Sequence, residues 1–217
     1  LAGRMQTPFG RIALTIGAQL IASERQDRSL DYLLAQPLTA LEVFVGKFIG
    51  AACSLTLMLL IGFGGAGAVM AIEGEAGGVG GFLMLVALTL MLGLAMLSVG
   101  YLISSFSRQT AAALGIALTL WLLFVIAGDL GIMGSSLVLG LSPETLLSLT
   151  ALNPLNVYKL VSVDLLHTSL DVLGPAGVYA VDRFGSTYSY LMLGLLALWI
   201  VIPLPVGYWF FKRTDFQ

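Results

Sequence analysis

Residues able to do covalent or metal chemistry are scarce in this chain. It has one histidine, His167, and one cysteine, Cys53, so an internal disulfide or a multi-cysteine metal site cannot form within one chain. No His-Glu-x-x-His pattern and no pair of intramembrane aspartates occurs, and a serine–histidine pair would need His167 to enter the bilayer. No catalytic residue is expected. The eight methionines raise Cu(I) chemistry, which thioethers suit. Met84 and Met91 share a helical face and Met96 follows, but methionine is equally a gap-filler between packed helices, and no metal site is expected. Residues 62–67 (Gly-Phe-Gly-Gly-Ala-Gly) look like a phosphate loop without the required Gly-Lys-Ser/Thr. Small residues in apolar context suit close helix packing instead. The chain is therefore expected to hold no cofactor and no ATP site of its own.

What remains is a dense run of charge at residues 24–47, followed by residues 48–72 without a charge. A polar, helix-punctuated segment set against a long apolar helix is a means of gripping something outside the bilayer. Ser29 can cap a short helix whose early Asp31 suits the positive end of the helix dipole. Leu30, Leu33 and Leu34 would line one face, and Pro37 would end it. Thr39-Ala40-Leu41-Glu42 is a capping box that opens the next helix. An ordinary solvated loop fits the same composition.

The elements around this segment follow from composition. With 58% hydrophobic and 10% charged residues, the chain departs from globular domains, which are about 25% charged. A net charge of −2 and the lack of a basic stripe exclude nucleic acid as a partner. Residues 48–72, 76–107, 109–128 and 184–211 are long enough to cross about 30 Å of hydrocarbon as helices. Residues 9–22 form a shorter fifth span, in which Arg11 is expected to snorkel from near a helix end. Span interiors otherwise lack ionisable groups, which argues against an ion-coupled transporter and for a machine driven from outside the chain. The first residue is Leu1, and a preceding span is expected in the full chain, giving about six.

Loops with Arg25, Arg28, Lys47, Arg108, Lys212 and Arg213 would face the cytoplasm. The opposite side has Arg4, Arg11, Lys159 and Arg183. Residues 104–109 form a tight inner turn. Residues 142–187 are expected as an outer, periplasmic segment of short interfacial helices. Ser142-Pro143-Glu144 and Asn153-Pro154 mark helix starts there, the latter launching 155–166. Pro203 and Pro205 are expected to kink the last span.

The charged run resembles the signature of ABC type-2 transporter permeases, carried by Glu24-Arg25, Ser29, Asp31, Leu33-Leu34, Pro37, Thr39, Glu42 and Gly46-Lys47. Ser29 replaces the family's usual glycine. Ser107-Arg108 with residues 111–113 is similar to that family's second inner turn. The resemblance implies an all-α integral membrane protein of the ABC type-2 exporter class, with residues 1–217 as one transmembrane domain and 24–47 as a cytoplasmic coupling helix segment. ATPase-coupling residues would be Glu24, Arg25, Arg28, Ser29, Asp31, Leu33, Leu34, Pro37, Thr39 and Glu42. ATP and magnesium would be held by a separate ABC ATPase dimer, and the chain would pair with a second copy in the bacterial inner membrane.

Within that family, Asn153-Pro154-Leu155-Asn156-Val157-Tyr158-Lys159-Leu160 is similar to permeases of copper-processing transporters that mature nitrous-oxide reductase. That likeness implies a periplasmic accessory protein, with Asn153, Pro154, Tyr158 and Lys159 as contacts, and a sulfur- or copper-related cargo. An exporter of lipid, drug or polysaccharide is the first alternative, and a non-ABC membrane scaffold is the second.

Overall fold

The computed structural model describes residues 2–29, 38–72, 76–133, 145, 148, 151–165 and 187–215. All regular elements among them are helical: α1 (Ala2–Gln19), α2 (Ala22–Gln26), α3 (Ala40–Ile72), α4 (Ala76–Phe106), α5 (Thr110–Met133), α6 (Pro154–Leu165), α7 (Tyr188–Val201) and α8 (Pro203–Asp215). Four stretches are long and apolar enough to cross a membrane: Ala40–Val69, Gly80–Phe106, Thr110–Gly128 and Tyr188–Thr214. They match four of the five expected spans; α1, which contains most of the expected fifth, is not among the helices apolar enough to cross.

The centre of the bundle is α4, which packs against α1, α3, α5, α6, α7 and α8. Its closest neighbour is α1, and the reason is local. A Cβ on Gly17 would lie 2.4 Å from the Leu97 carbonyl oxygen, and one on Gly100 would lie 2.2 Å from that of Leu14. Only hydrogen fits at either point, so the two backbones touch. Ala13, Ala18 and Ala95 are fully buried in the same core. Small residues that let backbones approach are the main source of association where lipid offers no hydrophobic gain.

Residues 62–67 behave differently. A Cβ on Gly62, Gly64 or Gly65 would meet nothing within 4 Å, and Gly67 alone approaches a side chain, that of Phe82. The expected close packing is thus made by Gly17 and Gly100 rather than by this run. Cys53 is exposed on α3.

Arg11 also differs from expectation. It lies mid-way along α1 rather than near an end. Its neighbour Gly10 faces Met96, with a Cβ there 3.6 Å from Met96 Cγ. Met96 is ten residues from the inner end of α4 at Phe106, which is about 15 Å along the helix at 1.5 Å per residue. Arg11 is therefore level with the interior of the apolar stretch of α4, away from the helix end at which it was expected.

At the outer end, Asn153 starts α6 as expected. Its Oδ1 accepts from the Leu155 N–H at 3.0 Å, and its amide donates to the Phe124 carbonyl on α5 at 2.6 Å. The helix is sunk into the bundle, beyond an interfacial position. Leu155, Val157, Tyr158, Leu160 and Val161 are all buried, and the Tyr158 hydroxyl meets Thr89 Oγ1 at 2.9 Å. Thr89 stands nine residues inside the Gly80–Phe106 span, a depth of about 14 Å at the helical rise. The last span divides at Ile202, just before Pro203, in accord with the expected proline effect.

Candidate functional site

The functional candidate is the inner end, where Arg25, Lys47, Arg108, Lys212 and Arg213 gather. The geometry begins with a break. After Gln19 the chain turns through Leu20 and Ile21 before α2 starts, which frees the first backbone N–H groups of the short helix. Ser104 of α4 supplies the missing acceptor: its Oγ takes hydrogen bonds from the N–H groups of Ile21 and Ala22, both at 2.8 Å. The break is therefore locked to α4 and buried.

The two following polar residues grip the turn between α4 and α5 from both sides. Arg25 donates through Nη2 to the Ser105 carbonyl at 3.2 Å, and through Nη1 to the Ser107 carbonyl. These carbonyls belong to the C-terminal end of α4, where a cation is favoured. Gln26 Oε1 accepts from the Thr110 N–H at 3.0 Å, at the first residue of α5. Glu24 meanwhile pairs with Lys47 of α3, both side chains partly buried. Three consecutive residues thus bind three helices.

The capping box is formed as expected. Thr39 N–H and Oγ1 each donate to Glu42 Oε2 at 2.8 Å, and the Glu42 N–H donates back to Thr39 Oγ1 at 3.3 Å. It opens α3, whose first turns carry Phe44 into an aromatic cluster. Phe44 lies 4.6 Å from Tyr101 and 5.6 Å from both Tyr208 and Phe211, centroid to centroid. The Tyr101 hydroxyl donates to the Phe44 carbonyl at 2.8 Å. The starts of α3, the end of α4 and the end of α8 consequently form one block.

Of the ten coupling candidates, Glu24, Arg25, Thr39 and Glu42 belong to this block and make their bonds inside the chain. Arg28 and Ser29 are exposed beside it. Arg28 has φ 56, a left-handed turn conformation, and Ser29 Oγ donates back to the Glu24 carbonyl at 3.3 Å. Asp31, Leu33, Leu34 and Pro37 lie outside the described residues.

The outer candidates Asn153, Pro154 and Tyr158 are buried in the bundle, while Lys159 is half-buried. Sequence reasoning missed Ser104, Gln26 and Tyr101. The serine-rich turn at 104–107 was a usable hint for the first; nothing local pointed to the other two. Among the described residues no group of three or more His, Cys, Asp or Glu could hold a metal. Met84 is exposed, Met91 half-buried and Met96 fully buried, so the three do not share one surface. His167 lies outside the described residues.

This geometry has counterparts among known proteins. Residues 5–216 match the family described as ABC-2 family transporter protein. The chain belongs to that family. The permease is also 32% identical over 209 residues to the probable ABC transporter permease protein NosY of Pseudomonas aeruginosa, covering 93% of this chain and 74% of that protein. A protein of the same name from Stutzerimonas stutzeri matches with the same identity and coverage. An all-α, multi-pass permease of the bacterial inner membrane is the architecture that these likenesses and the apolar helices support together.

Proposed function

We propose that this permease converts ATP-driven motion of a separate cytoplasmic ATPase dimer into movement of its spans, working as a homodimer. The observation that carries the proposal is the triple grip of Glu24, Arg25 and Gln26 on α3, on the end of α4 and on the start of α5. A force applied to the segment that follows cannot be absorbed by a hinge at Ser23 to Gln26. It passes directly into the inner ends of three spans and, through Phe44, Tyr208 and Phe211, into a fourth.

In this reading Arg28, Ser29, Asp31, Leu33, Leu34 and Pro37 meet the ATPase, the leucines as the apolar anchor. Glu24, Arg25, Thr39 and Glu42 transmit the motion. Likeness to two proteins named NosY supports a maturation-type assembly with a periplasmic accessory protein and a sulfur- or copper-related cargo for nitrous-oxide reductase. The accessory protein would approach the outer segment at 142–187, with Lys159 and the exposed Leu152 nearer to it than the buried Asn153, Pro154 and Tyr158.

The test is purification of the full-length protein from its native host in mild detergent, with and without Leu33→Asp plus Leu34→Asp. Wild type should carry an ATPase and a periplasmic protein. The double variant should insert normally but lose the ATPase and all ATP-dependent transport. Undiminished transport would refute the coupling model, and an ATPase without a periplasmic protein would favour an exporter of another cargo.

A further inference from the structure

The exposed surfaces of the long helices are not alike. On α3 they carry Leu57, Met58, Leu60 and Ile61; on α5, Ile116, Leu122, Leu123 and Ile126; on the last span, Leu198, Val201 and Ile202. Those faces are largely apolar, and their polar members, such as Ser54 and Thr119, return their hydroxyls to the helix backbone. The open face of α1 is not largely apolar: it carries Pro8, Arg11, Thr15 and Gln19, spaced three and four residues apart and so in one column along the helix. Gly10, Ala13, Leu14, Gly17 and Ala18 of the same helix are buried against the bundle.

Arg11 stands in the middle of that column, at the level of Gly10 and Met96 and so beside the interior of the apolar stretch of α4. A cation facing hydrocarbon at such a level would be costly. Among the described residues no acid pairs with it: Arg11 is exposed, and its guanidinium carbon rests 5.5 Å from the centre of the Trp121 ring on α5. A tryptophan face holds a cation in place without cancelling its charge. Thr15, one turn further in, turns its hydroxyl to the Arg11 and Ile12 carbonyls, leaving the guanidinium as the strongest charge on this column.

We propose that the open face of α1, with Arg11 positioned over Trp121, lines the water-filled transport path and is its anion-recognition point. The proposal rests on the permease reading above and adds the charge class of the cargo. A bare metal cation would be repelled at Arg11, whereas an anion, or a metal carried in an anionic complex, would be drawn there. Within a sulfur- or copper-related cargo, this selects the negatively charged forms.

The test uses the full-length protein in membrane vesicles, with Cys53→Ala removing the native exposed thiol and Thr15→Cys introducing a reporter one turn from Arg11. Reaction with an anionic and a cationic methanethiosulfonate of similar size is then timed. With each rate divided by that reagent's rate with a small free thiol, the anionic reagent should react about fivefold faster than the cationic one, given a unit charge within a helical turn and partial screening. Arg11→Gln should bring the two rates to within about twofold, and Arg11→Lys should retain the preference by keeping the charge. Failure of both water-soluble reagents, with normal labelling after denaturation, would place this face against lipid or protein and overturn the proposal. Equal preference with and without Arg11 would overturn it as well. Neither readout depends on the ATPase, so loss of the coupling model would leave this result standing, and the reverse.

Discussion

Two glycine-bearing regions of this permease look alike as sequence and do opposite things. Residues 62–67 are a dense glycine run within a span, yet Gly62, Gly64 and Gly65 have open space where a side chain would go. Gly17 and Gly100 are isolated glycines, and there a Cβ would strike backbone atoms of the facing helix. The difference teaches that density of small residues is a poor guide to close packing. A glycine matters for contact when it stands at the crossing point of two helices, and the crossing of α1 and α4 is the joint around which the rest is arranged.

Breaking the crossing should have the largest effect. Gly100→Leu must displace α1 from α4, because the obstructing atoms are backbone, and overpacking of this kind costs about 3 kcal/mol or more. The expected outcome is loss of detergent-stable protein, read by size-exclusion chromatography and thermal unfolding. A variant that eluted and melted like wild type would show that the crossing is not a determinant of the fold.

An intermediate effect is expected from Ser104→Ala, which leaves the α1–α4 contact intact and removes only its polar lock. The Ile21 and Ala22 N–H groups would lose their buried acceptor, a loss of about 1–3 kcal/mol. Hydrogen exchange should rise at those two amides before it rises elsewhere in α1, and unchanged protection would argue that another acceptor takes over.

The smallest effect is expected in the glycine run. Gly62→Ala and Gly65→Ala should leave the isolated chain unchanged or raise its stability by up to about 1 kcal/mol, since alanine is the better helix former and the added methyl meets nothing. Measuring the same variants in the assembled transporter sharpens the comparison. Normal stability of the chain together with impaired pairing would identify this face of α3 as one covered by a second copy.

Parts of both ends were legible because their signals are local. The Thr39–Glu42 box and the Asn153-Pro154 start are short patterns in which the bonding partners lie within a few residues, and both are formed as read. The spans were legible because lack of charge over twenty or more residues has one main physical solution. Arg11 was misread for the opposite reason. Its position in the sequence suggested a helix end, but its depth depends on where α1 crosses α4, more than eighty residues away. Likewise Arg25 and Gln26 looked like outward-facing charge and polarity, and they became the bonds that cap the α4–α5 turn.

By itself, then, the sequence determined the helical membrane class and the approximate limits of the four apolar spans. Each of these follows from the free energy of burying apolar chain in a bilayer and satisfying backbone groups within a helix. Tertiary structure alone decided which glycines bear the packing, why Ser104 is placed as it is, how far α6 sinks into the bundle, and that Arg11 stands exposed over Trp121. Those are properties of helix register and crossing, set by contacts between residues that no local pattern connects.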